Sequence, residues 1–331
     1  MNQEKLLAEY FAFLELDIPS TLDLNTLNEI IRRHMSKVPY QNFGLVTDRM
    51  ALKTGKNPVV KLELECLFDK LVREKRGAMC YETSELLFWA LQKIGYEIIK
   101  VRSIARIGDS SFAEKPYMHQ SLIVFIQGQA YTADPGFGYS GFYGALPINL
   151  DKTTVVEASN GDKYKIEPHE SYYRISSWIG SGWFAFYDFD KPLVTATLQD
   201  GIKDVDGLIS RGAPITDTYL KPGLLRENGS RVGFNVSLEP GKWRASMTFF
   251  PIGKPKTQVN LQDPNAVKGA IREHLGLELP SEIYDLLSTN YQMQEATSKN
   301  IKVALVMVAI SILTAASMRF ICKNNSGMAC R

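Results

Sequence analysis

Apolar residues recur at helical spacing through the first quarter of the chain. Leu24, Leu27, Ile30 and Ile31 lie on one face of a run that ends near Val38-Pro39, and Val60 to Val72 repeats the pattern. Residues 1–75 therefore read as helical. A further helix follows Cys80, with Leu86, Leu87, Ala90, Leu91 and Ile94 on one side and Gly95 as its stop. From residue 97 the period changes. Ile98 to Ile104, Ser121 to Ile126 and Ala130 to Ala133 read as strands. Gly128 predicts a tight hairpin pairing 121–126 with 129–134. Short strand-like runs continue to about residue 195, as in a small barrel. Residues 196–290 mix strands, at 232–236 and 245–250, with one late helix, 265–275.

The chain ends differently. Val303 to Met318 carries no charge, with Lys299 and Lys302 before it and Arg319 and Lys323 after it. A membrane span needs roughly 20 apolar residues, and flanking cations that snorkel extend the run to 303–321. A buried core helix fits the same composition. Its place after the polar stretch 288–300 favours an anchor, with the preceding domains facing the cytosol.

Length and composition suit an ordinary globular protein of two or three domains: 331 residues, 45% hydrophobic and 22% charged. A net charge of +2, with no basic stripe among aromatics, makes no electrostatic case for nucleic acid. Cys66, Cys80, Cys322 and Cys330 have the spacing of neither a zinc site nor a disulfide framework. The first 14 residues include Glu4, Lys5 and Glu9 and do not read as a secretory signal. A reducing, cytosolic setting for the folded part is the expectation.

Three residues suggest chemistry. Cys80 stands just before a helix-like run, where unpaired N–H groups and a partial positive charge favour an anionic sulfur; cations lie shortly upstream. His119 opens one strand of the predicted hairpin and Asp134 closes the other, so the hairpin brings them to the same end. An imidazole held in line by a carboxylate can take the thiol proton. Blander readings fit each residue taken singly: an inert buried cysteine, a structural histidine, and an aspartate in an Asp-Pro-Gly turn. Of the other histidines, His34 sits on a charged helical segment, His169 follows a proline and His274 lies on the late helix.

Taken together, the motifs resemble the arylamine N-acetyltransferase family. Arg76-Gly77-Ala78-Met79-Cys80 resembles its Arg-Gly-Gly-aromatic-Cys motif, and Val38-Pro39-Tyr40-Gln41-Asn42-Phe43 its Val-Pro-Phe-Glu-Asn-Leu. His119-Gln-Ser-Leu-Ile-Val124 is similar to its histidine strand. Asp134-Pro135-Gly136-Phe137-Gly138 is similar to its Asp-x-Gly-Phe-Gly loop. The resemblance covers about residues 5–285. It departs from the pattern at Ala78, Met79, Ser84 and Pro135, and the family's Ser/Pro-rich segment is faint around Pro214-Ile-Thr216.

The resemblance implies an α+β fold with a cysteine-proteinase-like core. A helical bundle (1–95) would carry Cys80, an antiparallel β-barrel (96–195) would carry His119 and Asp134, and an α/β lid (196–290) would follow. A polar linker (291–302) and the hydrophobic helix (303–321) complete the expected order. It further implies a Cys80-His119-Asp134 triad, with Phe137, Gly138 and Tyr139 as substrate-binding residues. Acetyl-CoA would be co-substrate, with no permanently bound cofactor and no metal. The acceptor would be an arylamine or hydrazine, acetylated by ping-pong transfer. Two other functions use the same residues: a different acyl transfer (amide synthesis or hydrolysis), or a non-enzymatic, membrane-anchored binding protein on the same fold.

Overall fold

The computed structural model describes residues 2–55, 61–109, 111, 115–299 and 301. The expected hydrophobic helix at 303–321 lies outside them. Among the described residues no helix is long and apolar enough to cross a membrane.

The chain starts with helices α1 (Gln3–Leu14), α2 (Leu24–Lys37), α3 (Phe43–Lys53) and the short α4 (Leu64–Leu67). Phe68–Arg73 then winds as a π-helix, and α5 runs from Cys80 to Ile94. Gly95 ends α5 in the left-handed conformation, φ 107°, as its lack of a Cβ allows. Leu86, Leu87, Ala90 and Leu91 of α5 are buried against Tyr10, Leu27, Ile30 and Phe68 from the other helices.

Eight antiparallel strands follow: β1 (Glu97–Ala105), β2 (His119–Ile126), β3 (Gln129–Ala133), β4 (Leu146–Ile148), β5 (Thr154–Glu157), β6 (Lys163–Pro168), β7 (Tyr172–Trp178) and β8 (Trp183–Asp190). They form one sheet in the order β4-β3-β2-β1-β8-β7-β6-β5. Its two edges approach each other, giving a near-closed barrel. Strand β2 is buried on both faces. Ile123 points into the barrel core with Phe142, Tyr164 and Tyr187, while Leu122 and Val124 join the core around α5. The hairpin forms at the expected place. Ile126 pairs with Gln129, and Gln127 and Gly128 both have positive φ, the two-residue turn that matches strand twist.

The remainder contains α6 (Leu198–Arg211), α7 (Pro214–Asp217) and a second sheet. Its strands are β9 (Tyr219–Leu220), β10 (Gly223–Leu225), β11 (Arg231–Ser237), β12 (Ala245–Phe250) and β13 (Thr257–Asn260), and α8 (Pro264–Leu275) packs against it. Helix α6 does not stay with this sheet. Its Val205, Leu208 and Ile209 pack on Leu45, Met79 and Tyr81 of the helical unit. A last helix, α9 (281–299), corrects the expected linker at 291–302 as far as residue 299. The polar residues of 291–299 are its exposed face. Ile283 and Leu287 enter the core, and Asn290 donates to the Leu238 carbonyl at 2.9 Å.

Candidate active site

Cys80 is the first residue of α5, with Met79 as N-cap. The backbone reaches this point through a narrow passage. Gly77 has φ +68°, and a Cβ there would lie 2.6 Å from the Pro39 carbonyl oxygen. Glycine is the residue that fits both demands. Ala78, where the family motif has a second glycine, needs no such freedom. It is fully buried, donates to the Pro39 carbonyl at 2.9 Å, and accepts from the Gln41 N–H at 2.8 Å. The other departures are equally settled. Met79 is buried in the cluster beneath α6, and the Ser84 hydroxyl donates to the Gln120 carbonyl at 3.0 Å.

The hairpin places His119 and Asp134 side by side, with His119 Nε2 at 2.8 Å from Asp134 Oδ2. The second carboxylate oxygen accepts the Gly136 N–H at 2.9 Å, which fixes the turn through Pro135. With Nε2 engaged by Asp134, Nδ1 is the ring nitrogen left for another partner, and Cys80 is close enough to help hold a proton on the ring. Met118, just before His119, turns its carbonyl to within 3.9 Å of the sulfur. The three residues share one buried place: Cys80, His119 and Asp134 are only 7%, 3% and 0% exposed. Burial works against a charged imidazole, but the Asp134 carboxylate and then Cys80 outweigh it and raise His119 to about 10.

The loop after Asp134 packs directly on the nucleophile. A Cβ on Gly136 would lie 2.6 Å from Cys80 Cα. Phe137 sets its ring edge-on to His119 at 5.2 Å and stacks on Phe186 at 4.6 Å. Gly138 lies against the Tyr40 ring. Tyr139 docks the loop on the second sheet. Its ring lies over Gly223 and Gly233, where a Cβ would come within 2.7 and 2.3 Å, and it stacks on Phe250 at 5.4 Å.

Several neighbours of the site carry no sequence signal of their own. Tyr187 lies 4.9 Å from the His119 ring, and its fully buried hydroxyl faces Asp134, Thr132 and Ser121. Burial, then the charges of Cys80, Asp134 and Glu82, keep the Tyr40 phenol protonated. Two of the upstream cations are turned elsewhere: Arg73 binds Glu9 and Asp69, and Arg76 binds Glu74. Of the competing histidines, His34 is not on a charged surface. It is fully buried between the Tyr10 hydroxyl (2.8 Å) and the Thr83 hydroxyl (2.7 Å), and burial holds it at about 3. Its ring is neutral and structural. Among the described residues no cluster of His, Cys, Asp and Glu is arranged to hold a metal ion.

Comparison with known proteins covers the same region. A family model described as N-acetyltransferase matches residues 23–200, more than half the chain. The arylamine N-acetyltransferase liver isozyme of Gallus gallus is 34% identical over 149 residues, 43% of this chain and 47% of that protein. Arylamine N-acetyltransferase 2 of Mus musculus is 33% identical over 121 residues, 37% and 39% of the two chains. The matched part thus spans about half the length of such relatives or less. The solved arylamine N-acetyltransferase of Mycobacterium abscessus superposes with a TM-score of 0.71 at 20% identity, over 88% of this chain and 96% of that one. The Mycobacterium marinum enzyme, solved in complex with CoA, gives 0.70 at 20%, over 87% and 99%. These likenesses establish the shared fold across the barrel and the second sheet. With the family model spanning Cys80, His119 and Asp134, the chain belongs to the arylamine N-acetyltransferase family.

Proposed function

We propose that the protein is an acetyl-CoA-dependent N-acetyltransferase, acting on arylamines or hydrazines through an acetyl-cysteine. One observation carries this reading. A cysteine at the start of a helix stands near a buried imidazole, one nitrogen of which is held 2.8 Å from a carboxylate. The names of the relatives and the CoA complex of the M. marinum protein support the choice of donor and acceptor.

Cys80 would react as a thiolate paired with the His119 imidazolium. The sulfur attacks the thioester carbonyl, forming a C–S bond, and the CoA sulfur leaves with the His119 proton. N–H groups of the first turn of α5 have no acceptor within the helix and are available to the oxyanion. The amine then attacks the acetyl-cysteine, its proton passes to His119, and Cys80 is expelled as the thiolate. Asp134 keeps the ring oriented through both steps and stabilises its charged form, which is present before the first step and restored by the second, the ring being neutral in between. Phe137 and Gly138, beside His119 and Tyr40, would line the acceptor position. The catalytic domains would face the cytosol, with residues 303–321 as a membrane tether; that part rests on the composition of the tail alone.

Intact mass spectrometry after exposure to a series of acyl-CoAs tests the reading. The wild type should gain one acetyl group, released by an arylamine, and Cys80→Ala should gain none. Failure to label, or label independent of Cys80, refutes it. Turnover of amides or non-CoA thioesters in place of acetyl-CoA would favour the amide synthase or hydrolase alternative.

A further inference from the structure

Helix α5 must be capped without the usual means. Met79 at its N-cap has no side-chain oxygen, and the cap comes instead from Glu82, whose Oε2 accepts the Met79 N–H at 3.0 Å. A carboxylate in the first turn suits a helix N-terminus. It suits an anionic sulfur in the same turn poorly, because like charges repel and Glu82, 3% exposed, has little solvent to screen it. Its influence reaches the centre of the site, since the Tyr40 phenol feels Glu82 together with Cys80 and Asp134. The second oxygen, Oε1, takes the Lys70 ammonium at 2.5 Å, and the lysine side chain is itself only 16% exposed.

Lys70 reaches this position from the π-helical turn Phe68–Arg73. Such turns are uncommon and often mark functional places. The turn is tied to the nucleophile's own motif, because the Lys70 carbonyl accepts the Arg76 N–H at 2.9 Å. Arg73 and Arg76, the neighbouring cations, are committed to Glu9, Asp69 and Glu74.

We infer that Lys70 is a positioning residue for the nucleophile: it neutralises the Glu82 cap so that the start of α5 is closed without a free negative charge beside Cys80. The inference rests on the thiolate chemistry proposed above. Its distinguishing consequence is a sign reversal. Removing Lys70 alone exposes the carboxylate, whereas removing the charge of both residues restores the balance.

The test is the rate at which iodoacetamide alkylates Cys80, followed by peptide mass between pH 5.5 and 9, with melting temperature recorded for each variant. K70M should alkylate roughly three- to tenfold more slowly than wild type at pH 6, the size of a charge effect at a helix terminus. E82Q should match or exceed wild type, and K70M/E82Q should return to about wild type. A purely structural cap lowers the melting temperatures and leaves the pH 6 rates alone, which overturns the inference. So does a double variant as slow as K70M. If K70M does not fold, E82Q decides: slower alkylation than wild type refutes the idea. A wild-type Cys80 no faster than free cysteine at pH 6 is a different failure, which removes the proposed thiolate and this inference with it.

Discussion

Gly136 offers a direct test of how tightly the loop after Asp134 is set against the nucleophile. Its backbone is not left-handed, so alanine is conformationally allowed and the effect is steric. A methyl group there would meet Cys80 Cα at 2.6 Å, Cβ at 2.8 Å and the carbonyl oxygen at 3.0 Å. Ordinary contact starts near 3.4 Å, so loop and helix must part by roughly 0.8 Å. Neither side yields easily. Cys80 opens α5, and Gly136 is held by the Asp134 carboxylate through its N–H. The displacement therefore passes to the spacing of Cys80 from His119 and Asp134. Overpacking of this kind costs about 1–3 kcal/mol of stability, and a misplacement near 1 Å costs on the order of 100-fold in rate. Gly136→Ala is expected to fold with a lowered melting temperature and to capture acetyl from acetyl-CoA roughly 30- to 100-fold more slowly, followed by time-resolved intact mass. Gly269→Ala, in α8 with nothing within 4 Å of the added methyl, is the control and should keep the wild-type rate. Capture by Gly136→Ala within twofold of wild type would refute the close-contact reasoning.

Asp134→Asn removes the charge that does most to hold His119 up at about 10. Acetyl capture should fall by roughly a thousandfold or more, and the alkylation advantage of Cys80 at pH 6 should disappear. In the wild type, the stabilisation from charged His119 is fully present below its ordinary value of 6.5 and is lost as pH rises through about 10; denaturant melts between pH 7 and 10 should show the decline, and Asp134→Asn should lack it. His34 acts with the opposite sign. Its ring is held at about 3, so its contribution is present above 6.5 and shrinks as pH falls toward 3. Each pH unit below 6.5 should cost about 1.4 kcal/mol, read from urea melts at pH 7 and pH 5, and His34→Gln should flatten that slope.

The legible parts of the fold were those with strong local periodicity. The α5 face, its Gly95 stop and the hairpin at Gly128 follow from spacing and turn chemistry. The meeting of His119 and Asp134 follows from the hairpin register alone. Other features depend on contacts far apart in the chain. The polar run after Ser288 looks like a linker because the exposed face of α9 outweighs its few buried residues, Ile283, Leu287 and Asn290. Tyr139 belongs to the same loop as Phe137, yet the glycines that receive its ring lie some ninety residues away. Lys70 meets Glu82 from within a π-helical turn, twelve residues earlier in the chain, which spacing does not announce. Asn42 reads as one letter of a motif. In the structure it is fully buried, donates to the Ile215 and Tyr219 carbonyls at 2.7 and 2.8 Å, and accepts the Lys221 N–H at 2.9 Å.

The bridge at Tyr40 has a consequence for dissection of the protein. Its N–H and carbonyl exchange hydrogen bonds with Gly223 at 2.9 and 3.0 Å, while the next residue, Gln41, pairs with Ala78. A fragment stopped at residue 200, where the match to the family model ends, would strip most of α6 from the flank of Met79 and leave the Tyr40 edge bare. Cys80, His119 and Asp134 all lie upstream of that cut, yet the seam holding the sulfur's approach in shape is sewn partly from downstream sequence. The minimal folding unit for this site is thus longer than the stretch containing its reactive groups, and trimming from the C-terminal side should extinguish acetyl capture well before it removes any of them.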